Sequence, residues 1–176
     1  MSSLFEELCQ AYLQFDDRSH DHSIQLYQTI YTLPRALGEY LNCPKTYSMS
    51  IPTVPENAVS GEYVGLCGYD GSKKNINYGD LDFNEDGEAC FGIYVTLERQ
   101  KDTFPKRAFY YKCKARVEMD NINLTVLDKE FVIPRIKEEP QNFLPAFEYM
   151  KDLLLESLSY NPFVGDKTKQ RIGFLP

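Results

Sequence analysis

The chain predicts an α+β domain: an antiparallel meander of five or six strands, covered on one face by two N-terminal helices and one C-terminal helix. Three observations carry this expectation. Ala89 to Glu98 alternates with a period of two, placing Ala89, Phe91, Ile93, Val95 and Leu97 on one face and Cys90, Gly92, Tyr94, Thr96 and Glu98 on the other. Arg107 to Met119 alternates in the same way, with Phe109, Tyr111, Cys113, Ala115, Val117 and Met119 on its apolar face. Residues 3–15, 23–42 and 144–160 repeat their apolar positions every three or four residues, which is the period of a helix.

The first helix opens at a capping box, Ser3 with Glu6 three residues later. Its stripe is Leu4, Phe5, Leu8, Cys9, Tyr12, Leu13 and Phe15, and Asp16-Asp17-Arg18 breaks it. The second stripe is Ile24, Tyr27, Ile30, Tyr31, Leu37, Tyr40 and Leu41. Pro34 interrupts it, and Thr32 is placed to cap a fresh helix, so a kink or two short helices are expected. Cys43-Pro44 ends the element. An irregular crossing with Pro44, Pro52 and Pro55 follows, holding one edge strand from about Tyr47 to Ile51.

Glu62 to Tyr69 reads as a strand, and Ile76 to Phe83 with Ala89 to Glu98 as a central hairpin. Asp86-Gly87 between them suits a two-residue type I′ turn, because glycine accepts positive φ. After a polar loop with Pro105, Asp120-Asn121 is expected to turn Arg107–Met119 back on itself. That turn would set Met119 against Ile122, Val117 against Leu124 and Ala115 against Val126. Carried on, this register places Asp128 opposite Cys113, so a strand end or bulge is expected near Leu127, with Phe131 to Ile133 resuming in a new phase. A charged connection, Lys137 to Pro140, leads to the last helix, whose inner face is Phe147, Met150, Leu154 and Leu158, widened by Leu153 and Leu155. Asn161-Pro162 stops it. The tail from 163 to 176 is mildly basic (Lys167, Lys169, Arg171), and its apolar end, with Phe174 and Leu175, is expected to dock on the domain or on another chain.

At 176 residues the sequence fits one domain spanning residues 1–176. Aromatic residues make up 14%, carried by thirteen Tyr and eleven Phe with no Trp, and Tyr is favoured at protein interfaces. The net charge of −7 argues against a phosphate-backbone binder, so nucleic acid is not the expected partner. Five widely spaced cysteines without a C-x-x-C pair suit reduced thiols. With Glu6 and Glu7 inside the first helical pattern and no apolar run near the ~20 residues of a membrane span, a cytoplasmic location and no membrane partner are expected.

Chemistry-bearing motifs are few. Asp82, Asn84, Asp86 and Gly87 match the first half of a calcium loop, with oxygens at positions one, three and five. Position twelve is Ile93 rather than Glu, and no helices flank the loop, which excludes an EF-hand and leaves a β-loop cation site or a plain acidic turn. His20 and His22 could ligate a transition metal, yet residues two apart point to opposite sides of a strand or helix. Gly65, Gly68 and Gly71 with Ser72, Lys73 and Lys74 lack P-loop spacing and are not followed by a helix. No Cys or Ser has a His in an evident nucleophilic arrangement, and no Asp/Glu-x-Lys triplet lies on the strands. No catalytic set and no cofactor signature emerge. A hydrolase or nuclease with an unfamiliar site, or a small-ligand or divalent-metal domain, is the alternative. Lys112, Lys114 and Arg116 with Tyr110 form a basic stripe on the outer sheet face. The leading expectation is a non-catalytic protein-binding or accessory protein, an assembly factor, inhibitor or immunity-type protein. It would meet another protein chain, or further copies of itself, through Tyr94, Tyr110, Lys112, Lys114, Arg116, Phe174 and Leu175.

Overall fold

A computed structural model describes residues 3–50, 58–100, 106–135, 141–159 and 172–175. The end of the expected edge strand at Ile51, the loop with Pro105, the Lys137–Pro140 connection, Tyr160 and the basic part of the tail lie outside these residues. Within them the chain is α+β, with two helices and a seven-stranded antiparallel sheet.

A single helix, α1 (Leu4–Tyr40), replaces the two expected at the N-terminus. The intervening Asp16–His22 stretch contains neither Gly nor Pro, and polar residues of middling helix propensity do not end a helix that is already propagating. The capping box forms: Glu6 N–H donates to Ser3 Oγ (3.2 Å) and Ser3 N–H to Glu6 Oε2 (2.7 Å). Pro34 lies inside the helix and is buried with Leu33 and Leu37, so packing offsets the donor it removes. Thr32 does not cap a new helix; its hydroxyl donates back to the Gln28 carbonyl at 2.7 Å. The helix closes in a Schellman motif, with Asn42 at φ 51° and the N–H of Cys43 donating to the Gly38 carbonyl.

The sheet contains β3 (Val64–Cys67), β4 (Asp82–Phe83), β5 (Ala89–Glu98), β6 (Lys106–Glu118), β7 (Asn121–Val126), β8 (Lys129–Pro134) and β9 (Gly173–Leu175). Its order is β3-β5-β6-β7-β8, with β4 beside β3 on β5, and β9 on β6. A separate hairpin joins β1 (Thr46–Ser50) to β2 (Ala58–Glu62). The expected strand Glu62–Tyr69 is therefore divided between β2 and β3. Most of Ile76–Phe83 is also not strand: Tyr78–Asp80 is a 3-10 turn, with only Asp82 and Phe83 paired to β5.

Two turns differ from expectation for local reasons. At the first, Gly87 alone takes positive φ (74°) and its N–H donates to the Asn84 carbonyl, while Asn84 N–H reaches Glu88. This is a three-residue loop of type I turn plus glycine bulge, not a two-residue type I′ turn. At the second, the turn is Met119-Asp120, one residue earlier than expected, with Met119 at φ 47° and 91% exposed. The pairs become Val117↔Ile122, Ala115↔Leu124 and Cys113↔Val126. The slip is two residues on the partner strand, so every side chain keeps its face and the apolar pattern is equally satisfied. The strand end near Leu127 is present as a second tight turn into β8.

The inner face of the sheet holds Phe91, Ile93, Tyr111, Cys113, Ile122, Leu124 and Val126, all essentially inaccessible. Leu26, Ile30, Leu33 and Leu37 of α1 cover part of it, and α2 (Leu144–Ser159) covers the rest with Ala146, Phe147, Met150, Leu153 and Leu154. Leu155 and Leu158, expected on that inner side, are exposed. The Tyr111 hydroxyl donates to the Met150 carbonyl at 2.9 Å, fixing α2 against β6 within the core. The β1–β2 hairpin is held to the main sheet through Lys106, whose buried ammonium pairs with Glu98 and lies 4.6 Å and 5.2 Å from the ring centres of Tyr47 and Tyr63.

Where β3 pairs with β5, Cys67 and Gly68 approach Gly92 closely. A Cβ there would sit 2.5 Å from Cys67 Sγ and 2.7 Å from the Gly68 carbonyl oxygen. Because one of those contacts is backbone, Gly92→Ala is expected to lower stability by about 2 kcal/mol, read as a shifted urea midpoint with unchanged slope.

Candidate interaction surface

Helix α1 is longer than the sheet it covers. Ser3 to Ile24 are all exposed, while Leu26 to Leu37 supply the buried stripe. The overhang of some twenty residues amounts to roughly 30 Å at 1.5 Å per residue. Along it, Leu4, Phe5, Leu8, Tyr12, Leu13 and Phe15 are between 59% and 75% exposed. Their azimuth is not arbitrary. Leu8 and Leu26, Tyr12 and Ile30, and Phe15 and Leu33 are each eighteen residues apart in sequence, which is five whole turns of an α-helix. The stripe that packs on the sheet therefore continues in the same direction along the overhang, where the sheet has ended. Leu13 leaves this stripe and lies with Glu6, Gln10, Gln14 and Asp17 on the other side of the helix.

The residues expected to meet a partner are distributed differently. Tyr94 is 2% exposed, with its hydroxyl 3.0 Å from Asn75 Oδ1 and its ring in a small outer cluster with Cys67, Ala108 and Leu175. Leu175 is buried because β9 pairs with β6, Ala108↔Leu175 and Tyr110↔Gly173, so the tail end docks on its own domain. Tyr110 is half-buried against Gly71 and Gly173. Phe174 remains 43% exposed, 4.9 Å from the Phe109 ring and beneath the Arg107 guanidinium. Of the basic stripe, Lys114 pairs with Glu88 (3.5 Å) and Arg116 with Glu118 (3.0 Å), while Lys112 lies 5.4 Å from the centre of the Tyr69 ring. The stripe is largely neutralised by its own neighbours.

The acidic hairpin is closed upon itself. Asn84 Oδ1 accepts the N–H groups of Asp86 (3.1 Å) and Glu88 (2.9 Å), and its Nδ2 donates to Glu88 Oε2 (2.7 Å). Asp82 and Asp86 are exposed around it. Turning Asn84 toward a cation would forfeit both turn bonds. Among the described residues, no three His, Cys, Asp or Glu side chains converge as metal ligands. His20 and His22 are exposed on the overhang of α1 rather than near a helix start. The same segment of α1 that packs on the sheet borders a cleft of about 790 Å³, between Tyr31, Arg35 and Glu39 on one side and Lys45, Glu62 and Asn77 on the other. No helix among the described residues is long and apolar enough to cross a membrane.

The overhanging stripe was visible in the sequence but assigned to the core. The signal that distinguishes it is the eighteen-residue spacing across a segment free of Gly and Pro, which makes one straight helix longer than any strand beneath it. Neither the protein-family models, nor the curated proteins, nor the solved structures contain a match to this chain. The functional reading rests on the geometry.

None of the four perturbed thiols is activated. Burial raises those of Cys43, Cys90 and Cys113, and pushes Cys67 up to about 12. Cys9, on the overhang, is exposed. Maleimide labelling of the native protein should therefore modify Cys9 first and reach Cys67 and Cys113 only on unfolding. Folded-state values above the unfolded thiol range, about 8.5, mean that this contribution to stability is complete below that range. It is lost as pH rises toward about 12 for Cys67. Urea midpoints should fall between neutral pH and pH ~10.

Proposed function

We propose that this chain is a non-catalytic binding protein, an accessory or assembly-type module, that docks on a polypeptide through the overhanging half of α1. The observation that carries the reading is the exposed stripe Leu4, Phe5, Leu8, Tyr12 and Phe15 on a capped, continuous helix. A helix of this length without tertiary packing is only marginally stable in water, and scattered exposed apolar residues do not ordinarily align on one face. Helix-in-groove recognition uses this spacing of anchors at i, i+4 and i+7. The Tyr-rich outer sheet face is a lesser contributor in this reading, because Tyr94 and Leu175 are occupied within the chain. Lys112 and Phe174 remain accessible as a secondary patch.

A photo-reactive phenylalanine analogue placed at Tyr12, and as a control at the exposed Val132 on the far edge of the sheet, tests this directly in the producing cells. Discrete protein adducts from position 12, absent from position 132, are expected. Equal or absent labelling from position 12 would remove the reading.

A further inference from the structure

We infer that the occupant of the exposed stripe is a second copy of this chain, its α1 overhang lying antiparallel to the first. This rests on the proposal that the overhang is a protein-docking element. Two observations select the occupant, and a third selects its orientation.

The first is area. Three aromatic and two leucine side chains (Phe5, Tyr12, Phe15, Leu4 and Leu8), each about two-thirds exposed, present on the order of 700 Å². Two such faces together bury on the order of 1,400 Å², within the range of a specific, stable interface. One overhang is thus matched in size by another.

The second is spacing. Leu4, Leu8, Ala11 and Phe15 follow the four-three-four interval of a two-stranded helical seam, with Phe5 and Tyr12 along one flank. An antiparallel pair centred between Cys9 and Gln10 sets Leu4 against the partner's Phe15 and Leu8 against the partner's Ala11. Large side chains then meet at the ends of the seam, and large meets small at its middle.

The third is charge. From Ser3 to Ser23 the overhang carries Glu6, Glu7, Asp16, Asp17 and Asp21 against a single Arg18. A parallel pair would stack each acidic cluster on its own counterpart. The antiparallel pair moves Glu6 and Glu7 to the level of Leu13 and Tyr12 of the second copy, away from its acidic residues. It also brings Asp16 and Asp17 to the second helix's N-terminus, where the helix dipole favours negative charge. The two sheets end up at opposite ends of the seam, roughly 25 Å from the two-fold axis on either side. The same acidic face disfavours an anionic lipid surface, which selects Lys and Arg along the polar side of an interfacial helix.

Sedimentation velocity on the full chain, across tens of nanomolar to tens of micromolar, reads the association. A concentration-dependent dimer is expected for the wild type and a monomer for Leu8→Glu/Tyr12→Glu, with the cooperative urea unfolding of the core retained because both positions are exposed. Orientation is read in a Cys9→Ser background by mixing Leu4→Cys protein with Phe15→Cys protein under mild oxidation. Disulfide-linked heterodimers should form in excess over either homodimer. A wild-type monomer throughout, or excess Leu4→Cys homodimer, overturns the inference. If the chain is monomeric while position 12 still gives adducts to a different protein, the docking element stands and the second copy as its occupant falls. If the chain is monomeric and binds anionic vesicles instead, both fall.

Discussion

β5 and β6 pair along the whole length of β5, and the inner face of that ladder presents Phe91, Ile93, Val95, Phe109, Tyr111 and Cys113 in two adjacent rows. A surface so uniformly apolar has to be removed from water, and the outer side of the same strands carries a smaller cluster of Cys67, Tyr94, Ala108 and Leu175 that the 68–75 loop approaches. Only helices can close the inner side, because β7 and β8 continue the sheet sideways and add to the area needing cover. Helix α2 meets one part of this need through Phe147, Met150 and Leu154, with Tyr111 anchoring it. The C-terminal half of α1 meets the other. Once Leu26, Ile30, Leu33 and Leu37 are committed to the sheet, the direction of every other residue on α1 follows from the helical repeat. That is why the stripe on its N-terminal half points where it does, with no sheet beneath it.

The continuity of α1 thus turns a packing requirement into an exposed surface. A break at Asp16 would let residues 4–15 fold back onto the core, as two separate helices would do. The chain has no glycine or proline there, and the capping box at Ser3 stabilises the far end. The polar Asp16–Ser23 segment acts as a spacer, holding the apolar end clear of its own domain. The fold and the exposed apolar surface are two consequences of one helix, and the polar side of that surface is acidic.

Much of this architecture was legible in the residues. The alternation in Ala89–Glu98 and Arg107–Met119 defines β5 and β6, and the residues assigned to their inner faces are buried except Leu97 and Met119, while Gly92, Tyr94, Thr96 and Ala108 are buried on the other face as well. The 144–160 helix is present within a residue of its expected end. What was illegible has common physical causes. The slip at Met119-Asp120 moves the register by two, which hydrophobic pattern cannot detect, and the turn accepts a left-handed Met that propensity would not choose. Met119, Leu155 and Leu158 show that an apolar residue on the right face still fails to be buried where the opposing element ends. Ile76–Phe83 gives up its strand pairing to a 3-10 turn held by Asp80, whose carboxylate accepts from Asn77 N–H and Lys73. Among the site residues, Tyr94 was expected at a partner surface because local alternation does not reveal that the loop before Ile76 reaches the outer face, where Asn75 meets its hydroxyl, or that β9 brings Leu175 beside it. The stripe on α1 was misassigned for the opposite reason: helical periodicity says that a face is apolar, and nothing in it says how far the sheet extends.

Amide hydrogen exchange along α1, followed as a function of protein concentration, tests the division of this helix most directly. Amides of residues 26–40 should be protected at every concentration, while those of 4–15 should exchange rapidly in dilute solution and gain protection as concentration rises. Strong protection of 4–15 that persists at the lowest concentration would mean the segment packs on its own domain, and would contradict the account.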